Sequence, residues 1–206
     1  MPITFPLTLP KAPKQYTLTQ RCVDALSQSP YTGQQYVYSW LGQWWEVSAT
    51  FPCGDRTLNS QLVAILTALG GRSGTFFFGP YGSEAVPLGV ATGLPVVNGA
   101  NQDNSATLTT DGWTANVTGI LKAGDFLQVG TGTSARLYRV LQDANSDAGG
   151  NATLSLFPRV RPGTADNSPI TTINPVGVFR LNGDLIYTLQ AGGVYQELSL
   201  TAIEAL

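Results

Sequence analysis

Residues 121–161, LKAGDFLQVGTGTSARLYRVLQDANSDAGGNATLSLFPRVR, decide the fold class of this chain. Lys122-Ala123-Gly124-Asp125 reads as a turn, because glycine reaches positive φ freely and aspartate bonds back to nearby backbone. Phe126 to Val129, Leu137 to Val140 and Thr153 to Phe157 then carry apolar residues at strand length and spacing. Pro158 and Pro162 close the unit. Three short strands joined by turns make a compact β-barrel-like module, and the flanking sequence has a different texture. The module therefore reads as an insert in another domain.

Upstream, Pro2, Pro6, Pro10 and Pro13 make residues 1–16 an extended arm. Leu18 to Leu26 reads as a first strand. Gln34 to Phe51 reads as a hairpin turning near Leu41-Gly42-Gln43. Its second arm sets Trp45, Val47, Ala49 and Phe51 on one face and Trp44, Glu46, Ser48 and Thr50 on the other, a period of two. Asp55 or Thr57 caps a helix whose stripe is Leu58, Leu62, Ile65, Leu66 and Leu69, and Gly70-Gly71 ends it. A helix this short is unstable alone, so the stripe has to pack on a sheet. Thr75 to Phe78 is a short buried strand.

From about Glu84 short β candidates alternate with Gly, Asn and Asp clusters, including Ala106 to Thr109 and Ala115 to Ile120. Residues 142–151 form a polar loop tip, and GTADNSPITTINP after Pro162 reads as a linker or long crossing loop. Hairpin texture then resumes. Val176 to Leu181 and Leu185 to Leu189 flank Asn182-Gly183, a type I′ turn signal, and Val194 to Thr201 alternates as a last strand. The expected fold is mainly β: a β-sandwich-like domain with one α-helix, built from residues 1–83 and 164–206, carrying an inserted small barrel at residues 84–163.

Composition narrows the function. Charged residues are 12% of 206, about half the usual share, while Gly numbers 23 and Pro 13 without a period. That suits a turn-rich β protein whose surface is covered by neighbours in a multimer, or one on which Ser, Thr, Asn and Gln replace charge on the outside. A formal net charge of −2 and the lack of a basic run leave no nucleic-acid footprint. The N-terminus has neither a basic n-region nor an apolar core, so no signal peptide is expected, and no apolar run approaches membrane-spanning length. Two cysteines, Cys22 and Cys53, make no disulfide framework; a pair between them stays open, and the missing secretory signal favours free thiols.

The chain has no histidine, which removes Ser-His and Cys-His catalysis and most zinc sites. The aspartates at 103, 111, 125, 143, 147, 166 and 184 nearly all stand beside Gly, Asn or Ser, and turn formation explains them. Neither Asn101 to Asp111 nor Asp143 to Asn151 has calcium-loop spacing, and Gly70 to Gly74 lacks the context of a phosphate loop. No catalytic, cofactor or metal residue is expected. Two aromatics stand out instead. Trp44, on the face opposite the core, reads as a protein–protein anchor or sugar-stacking platform, unless the helix or N-terminal arm covers it. Trp113 reads as the insert's own core residue or as a stacking residue for a ligand.

Several of these pieces carry a family resemblance. Lys122-Ala123-Gly124-Asp125 with Leu137-Tyr138-Arg139-Val140, Leu154-Ser155-Leu156-Phe157-Pro158, Val178 to Asp184 and Gly193 to Leu200 resemble the distal tail protein of siphovirus bacteriophages, in the form with an inserted oligonucleotide/oligosaccharide-binding-like (OB-like) barrel. Ser27 to Gln35, through Trp44-Trp45-Glu46, resembles minor tail proteins of such phages. Phe51-Pro52-Cys53 stands where these usually carry Pro-Pro. The resemblance implies a non-enzymatic virion protein: a homohexameric ring at the tail tip or baseplate, joining the tail-tube protein to the hub, with a lumen for the tape-measure protein and DNA. It also implies side-fibre or receptor-binding proteins as further partners and assembly in the host bacterial cytoplasm. A carbohydrate-binding module of a host-adhesion apparatus is the alternative.

Overall fold

The computed structural model describes residues 4–52, 54, 56–190, 194–195 and 197–206. The fold is mainly β; among the described residues it has one α-helix and two six-stranded sheets, and the second sheet is nearly closed. The first sheet contains β1 (Leu7–Thr8), β2 (Gln15–Gln28), β3 (Gln35–Phe51) and β4 (Phe76–Phe78). It is completed by β11 (Gly177–Leu181) and β14 (Leu198–Glu204), in the order β1-β4-β11-β14-β3-β2. The helix, α1 (Arg56–Ala68), lies between β3 and β4 in sequence.

On β3, Trp45, Val47, Ala49 and Phe51 are buried while Glu46, Ser48 and Thr50 are not, as a half-buried strand requires. Leu62 and Leu66 of α1, with Leu69 just beyond it, join the same core as Phe76, Phe78 and Phe179. Gly70 and Gly71 at φ 59° and 72° end the helix in the left-handed conformation. Ile65 is only half-buried and Leu58 is 37% exposed, so the packed stripe is narrower than the sequence implied. Asn59 is buried instead, accepting from Lys11 Nζ at 3.2 Å. Asp55 and Cys53 lie outside the described residues, so the Asp55 cap and a Cys22–Cys53 pair do too.

The second sheet contains β5 (Gly93–Val97), β6 (Thr107–Trp113), β7 (Phe126–Val129), β8 (Arg136–Val140), β9 (Ala152–Phe157) and β10 (Ile170–Thr171). Their order is β10-β7-β8-β9-β6-β5. The sheet curls until its ends nearly meet: Val96 bridges Pro169, and Val97 exchanges backbone bonds with Ser168 and Asn167, both at 2.9 Å. A small core of Leu108, Ile120, Leu121, Leu127, Tyr138 and Leu154 fills the interior. Two short strands, β12 (Leu189–Gln190) and β13 (Val194–Tyr195), form a separate ribbon.

Several local expectations give way to tertiary pairing. The hairpin turn lies at Ser29 to Gln34, where Gly33 takes φ 71°, and β2 is the partner of β3. Leu41-Gly42-Gln43 is instead a bulged part of one continuous strand, where the register shifts between Cys22 and Asp24 of β2. Gly42 serves close approach: a Cβ there would stand 2.7 Å from Val23 Cγ2. Asn182-Gly183 makes no two-residue hairpin, because β11 pairs with β14 and β4, and Asn182 N–H donates to Thr201 at 2.9 Å. Ala115 to Ile120 forms no strand. Residues beyond 163, read as a linker, supply the segment that closes the second sheet, so that sheet runs past the expected border.

The chain leaves the first sheet after Phe78 and re-enters it at Gly177. At this crossing the two connections touch, and a Cβ on Gly79 would overlap the carbonyl of Pro175. Backbone cannot swing aside as a side chain can. Gly79→Ala is therefore expected to cost on the order of 1–3 kcal/mol, read as a lower midpoint in urea unfolding with unchanged slope.

Candidate functional site

From residue 21 onward β2 and β3 leave the body of the protein. Residues 21–28 and 30–41 are all exposed, on both faces of the ribbon. Seven residues from Cys22 to Gln28 at strand rise make an arm of roughly 20 Å. Its surface is apolar: Leu26, Tyr36, Val37, Tyr38, Trp40 and Leu41 are 55–64% exposed, and Tyr31 at the tip is 95% exposed. Arg21 and Asp24 are the only charged side chains on residues 21–41. Cys22 is exposed on the same ribbon.

A polar joint at the root of this arm fixes the two sheets to each other. The Trp45 ring meets Phe157 edge-on at 5.0 Å and Phe126 at 6.0 Å, so an aromatic of the first sheet packs among those of the second. Its indole N–H donates to the carbonyl of Leu137 at 3.0 Å. The backbone N–H of Trp45 donates to the Glu204 carboxylate at 3.2 Å, and Glu204 also pairs with Arg161 through Nε and Nη2. Arg161 Nη1 donates to the carbonyl of Gln43 at 2.6 Å, and Gln43 Oε1 accepts from the N–H of Arg159 at 2.9 Å. The Glu204 side chain is fully buried and that of Arg161 nearly so, and each is satisfied by several partners. No local pattern points to this cluster, since Arg161 and Glu204 lie 43 residues apart.

The two singled-out tryptophans diverge. Trp113 is 4% exposed inside the second sheet, and its indole N–H donates to Thr110 Oγ1 at 2.8 Å, so it packs as core. Trp44 is half-buried, donates weakly to Glu46 Oε1 at 3.4 Å, and lines a cleft of about 510 Å³ at the arm's root. Trp44 thus sits at the same joint as its neighbour Trp45, on the outward side.

The aspartate loops are held by their own backbone. The Lys122 ammonium at 2.8 Å, then the N–H of Ala123, keep the Asp143 carboxyl below its usual range. The N–H and amide of Asn151, then the N–H of Gly149 and Gly150, do the same for Asp147. Donors thus crowd Asp147, where a cation would need acceptors. Among the described residues no group of three or more His, Cys, Asp and Glu is placed to hold a metal ion, and no helix is long and apolar enough to cross a membrane. No protein-family model matches the chain, and no curated protein matches it.

Burial pushes the Tyr138 phenol, which accepts from Arg161 N–H at 2.9 Å, up to about 12. Because the folded protein keeps this phenol protonated more tightly than the unfolded chain, its contribution is complete below pH 10.0 and is lost as pH rises toward about 12. Tyr81 is raised in the same direction, chiefly by burial. Stability measured by urea unfolding should therefore fall through this alkaline window, and Tyr138→Phe should flatten the fall, leaving the Tyr81 part. The ion pair gives a second test. Glu204→Leu alone leaves Arg161 buried and uncompensated and should cost roughly 3–5 kcal/mol, whereas Arg161→Met with Glu204→Leu should recover most of that loss.

Proposed function

We propose that this chain is a structural, non-enzymatic component of a bacteriophage tail tip. Copies of it close into a ring that joins the tail tube to the hub or baseplate and leaves a lumen for the tape-measure protein and DNA. It is assembled in the host bacterial cytoplasm and carried in the virion, where side-fibre or receptor-binding proteins can attach. The copy number of six comes from the sequence resemblance. The observation that carries the reading is the arm: a two-stranded ribbon, apolar on both faces, with its residues 21–28 and 30–41 all exposed among the described residues.

Such a ribbon is marginal in water without further strands or a packed surface, and exposed apolar area of this kind marks an interaction site. A ring supplies the cover, because head-to-tail contacts that close give every arm a neighbour. The first sheet, which bears the arm, is the ring-forming part in this reading, and the barrel-like sheet faces outward. The carbohydrate-binding alternative cannot draw on Trp113, whose ring is in the core; of the two tryptophans singled out in the sequence, Trp44 is the one left to it, and a glycan array tests it directly.

Light scattering and negative-stain microscopy of the purified chain, alone and with tail-tube and hub proteins, should show six-fold rings. Serine at Tyr36, Tyr38 and Trp40 together should abolish rings while leaving the melting temperature of the body within a few degrees, since all three side chains are exposed. A chain that stays monomeric at high concentration with both partners present would sink the proposal.

A further inference from the structure

The cleft at the arm's root has features that the arm itself does not share. The ladder between β14 and β3 stops at Ile203 and Glu46. The next two polar positions on that edge of β3 are satisfied by side chains, the Glu204 carboxylate on Trp45 N–H and the Arg161 guanidinium on the Gln43 carbonyl. Beyond Gln43, residues 35–42 pair with β2 alone, and their other edge carries no backbone bond among the described residues. The cleft opens where this free edge begins. Leu41, Trp44, Pro162 and Leu206 give it an apolar wall, and Arg136 and Arg161 give it a cationic one.

The two arginines differ in a way that matters. Arg161 is neutralised by Glu204. Arg136 donates from Nη1 to the carbonyls of Thr133 and Ala135, both at 3.0 Å, and has no carboxylate partner among the described residues. Arg159 donates to the carbonyl of Asn104, a residue of the cleft wall, at 3.1 Å. The Arg136 guanidinium is thus an uncompensated cation in the lining of an apolar cleft, in a chain whose formal net charge is −2.

We infer that this cleft docks an extended acidic segment of a partner protein. The segment adds as a strand to the free edge of β3, sets one large apolar side chain between Trp44 and Pro162, and lays a carboxylate on Arg136. Open strand edges recruit peptides through main-chain bonds, with side-chain pockets supplying selectivity. Arginine suits the carboxylate because its planar fork can hold both oxygens. The occupant touches both sheets, since Leu41, Trp44 and Leu206 belong to the first part of the fold and Arg136 and Pro162 to the second. Docking there does not require the ring, so a failed ring test leaves it standing.

The test uses the full chain and an array of fluorescein-labelled heptapeptides of alternating pattern. The outer positions are Thr and Val, the charged positions Glu, Gln or Lys, and the central anchor Leu, Phe or Ala. Binding is read by anisotropy, with hydrogen exchange locating the contact. The Glu peptides with Leu or Phe anchors should bind roughly tenfold tighter than their Lys twins, and should slow exchange at residues 39–43. Arg136→Gln should remove most of the Glu-over-Gln preference while leaving the Gln peptides unchanged. Leu206→Asp, a change at an exposed side chain, should repel the Glu peptides should Arg136→Gln prove unfolded. The inference is overturned if no peptide binds below 1 mM, if Glu and Lys peptides bind alike, or if neither variant changes the preference. It is also overturned if residues 39–43 of the peptide-free protein become protected as its own concentration rises, because a second copy then fills the edge.

Discussion

Trp45 stands where the two sheets meet, and the arrangement of both depends on how it is held. Its ring is gripped by Phe126 and Phe157, its indole N–H by Leu137 and its backbone N–H by Glu204. The aromatic contacts supply apolar burial, the larger stabilising term. The Arg161–Glu204 pair contributes differently. Taking two charges out of water offsets much of their attraction, so a buried pair is weak evidence for stability. What it does here is geometric: the carboxylate must meet Trp45 and the guanidinium must meet Gln43, which admits one register of β14 on β3. A slip by one residue would turn Trp45 to the opposite face.

The same joint determines where the first sheet stops. Glu204 offers a side-chain oxygen where another backbone carbonyl would otherwise continue the ladder, and Arg161 covers the next position. After that β3 has only β2 beside it. The arm is the part of the β2–β3 ribbon that runs on beyond the last β14–β3 pair, Ile203 with Glu46. The cleft lies next to that point, and different chemistry lines the two.

The parts of the fold legible in the sequence are those governed by local periodicity. Alternation from Trp44 to Phe51 separated the core face from the outer one, the leucine stripe with Gly70-Gly71 placed the helix, and the three strands after Asp125 were read near their observed limits. Signals failed where pairing with distant strands outweighed local preference. Gly42 resembles a turn residue but serves the close approach to Val23, and the real turn lies at the less conspicuous Ser29 to Gln34. Asn182-Gly183 has hairpin chemistry, yet Leu181 and Asn182 are claimed by β14. Pro95 hid β5, which tolerates proline because it ends the order of the second sheet. Of the site, Trp44 was legible as an outward aromatic. Arg136, Arg161 and Glu204 were not, because no local pattern reports which charges a fold will bring together.

The arm's exposure argues about assembly more strongly than low charge alone does. A surface with few charged residues can be solvated by Ser, Thr, Asn and Gln, and much of this chain's loop surface is. The arm is different, since its exposed positions are Leu, Val, Tyr and Trp. Folding back onto the body would have covered them, and the body does not: none of residues 30–41 is even half-buried. Pairing of two arms in an isolated dimer would cover one face or edge of each and leave the other open. A closed ring can cover both faces, because each arm then has a neighbour on either side. That is the physical case for a ring over a smaller oligomer.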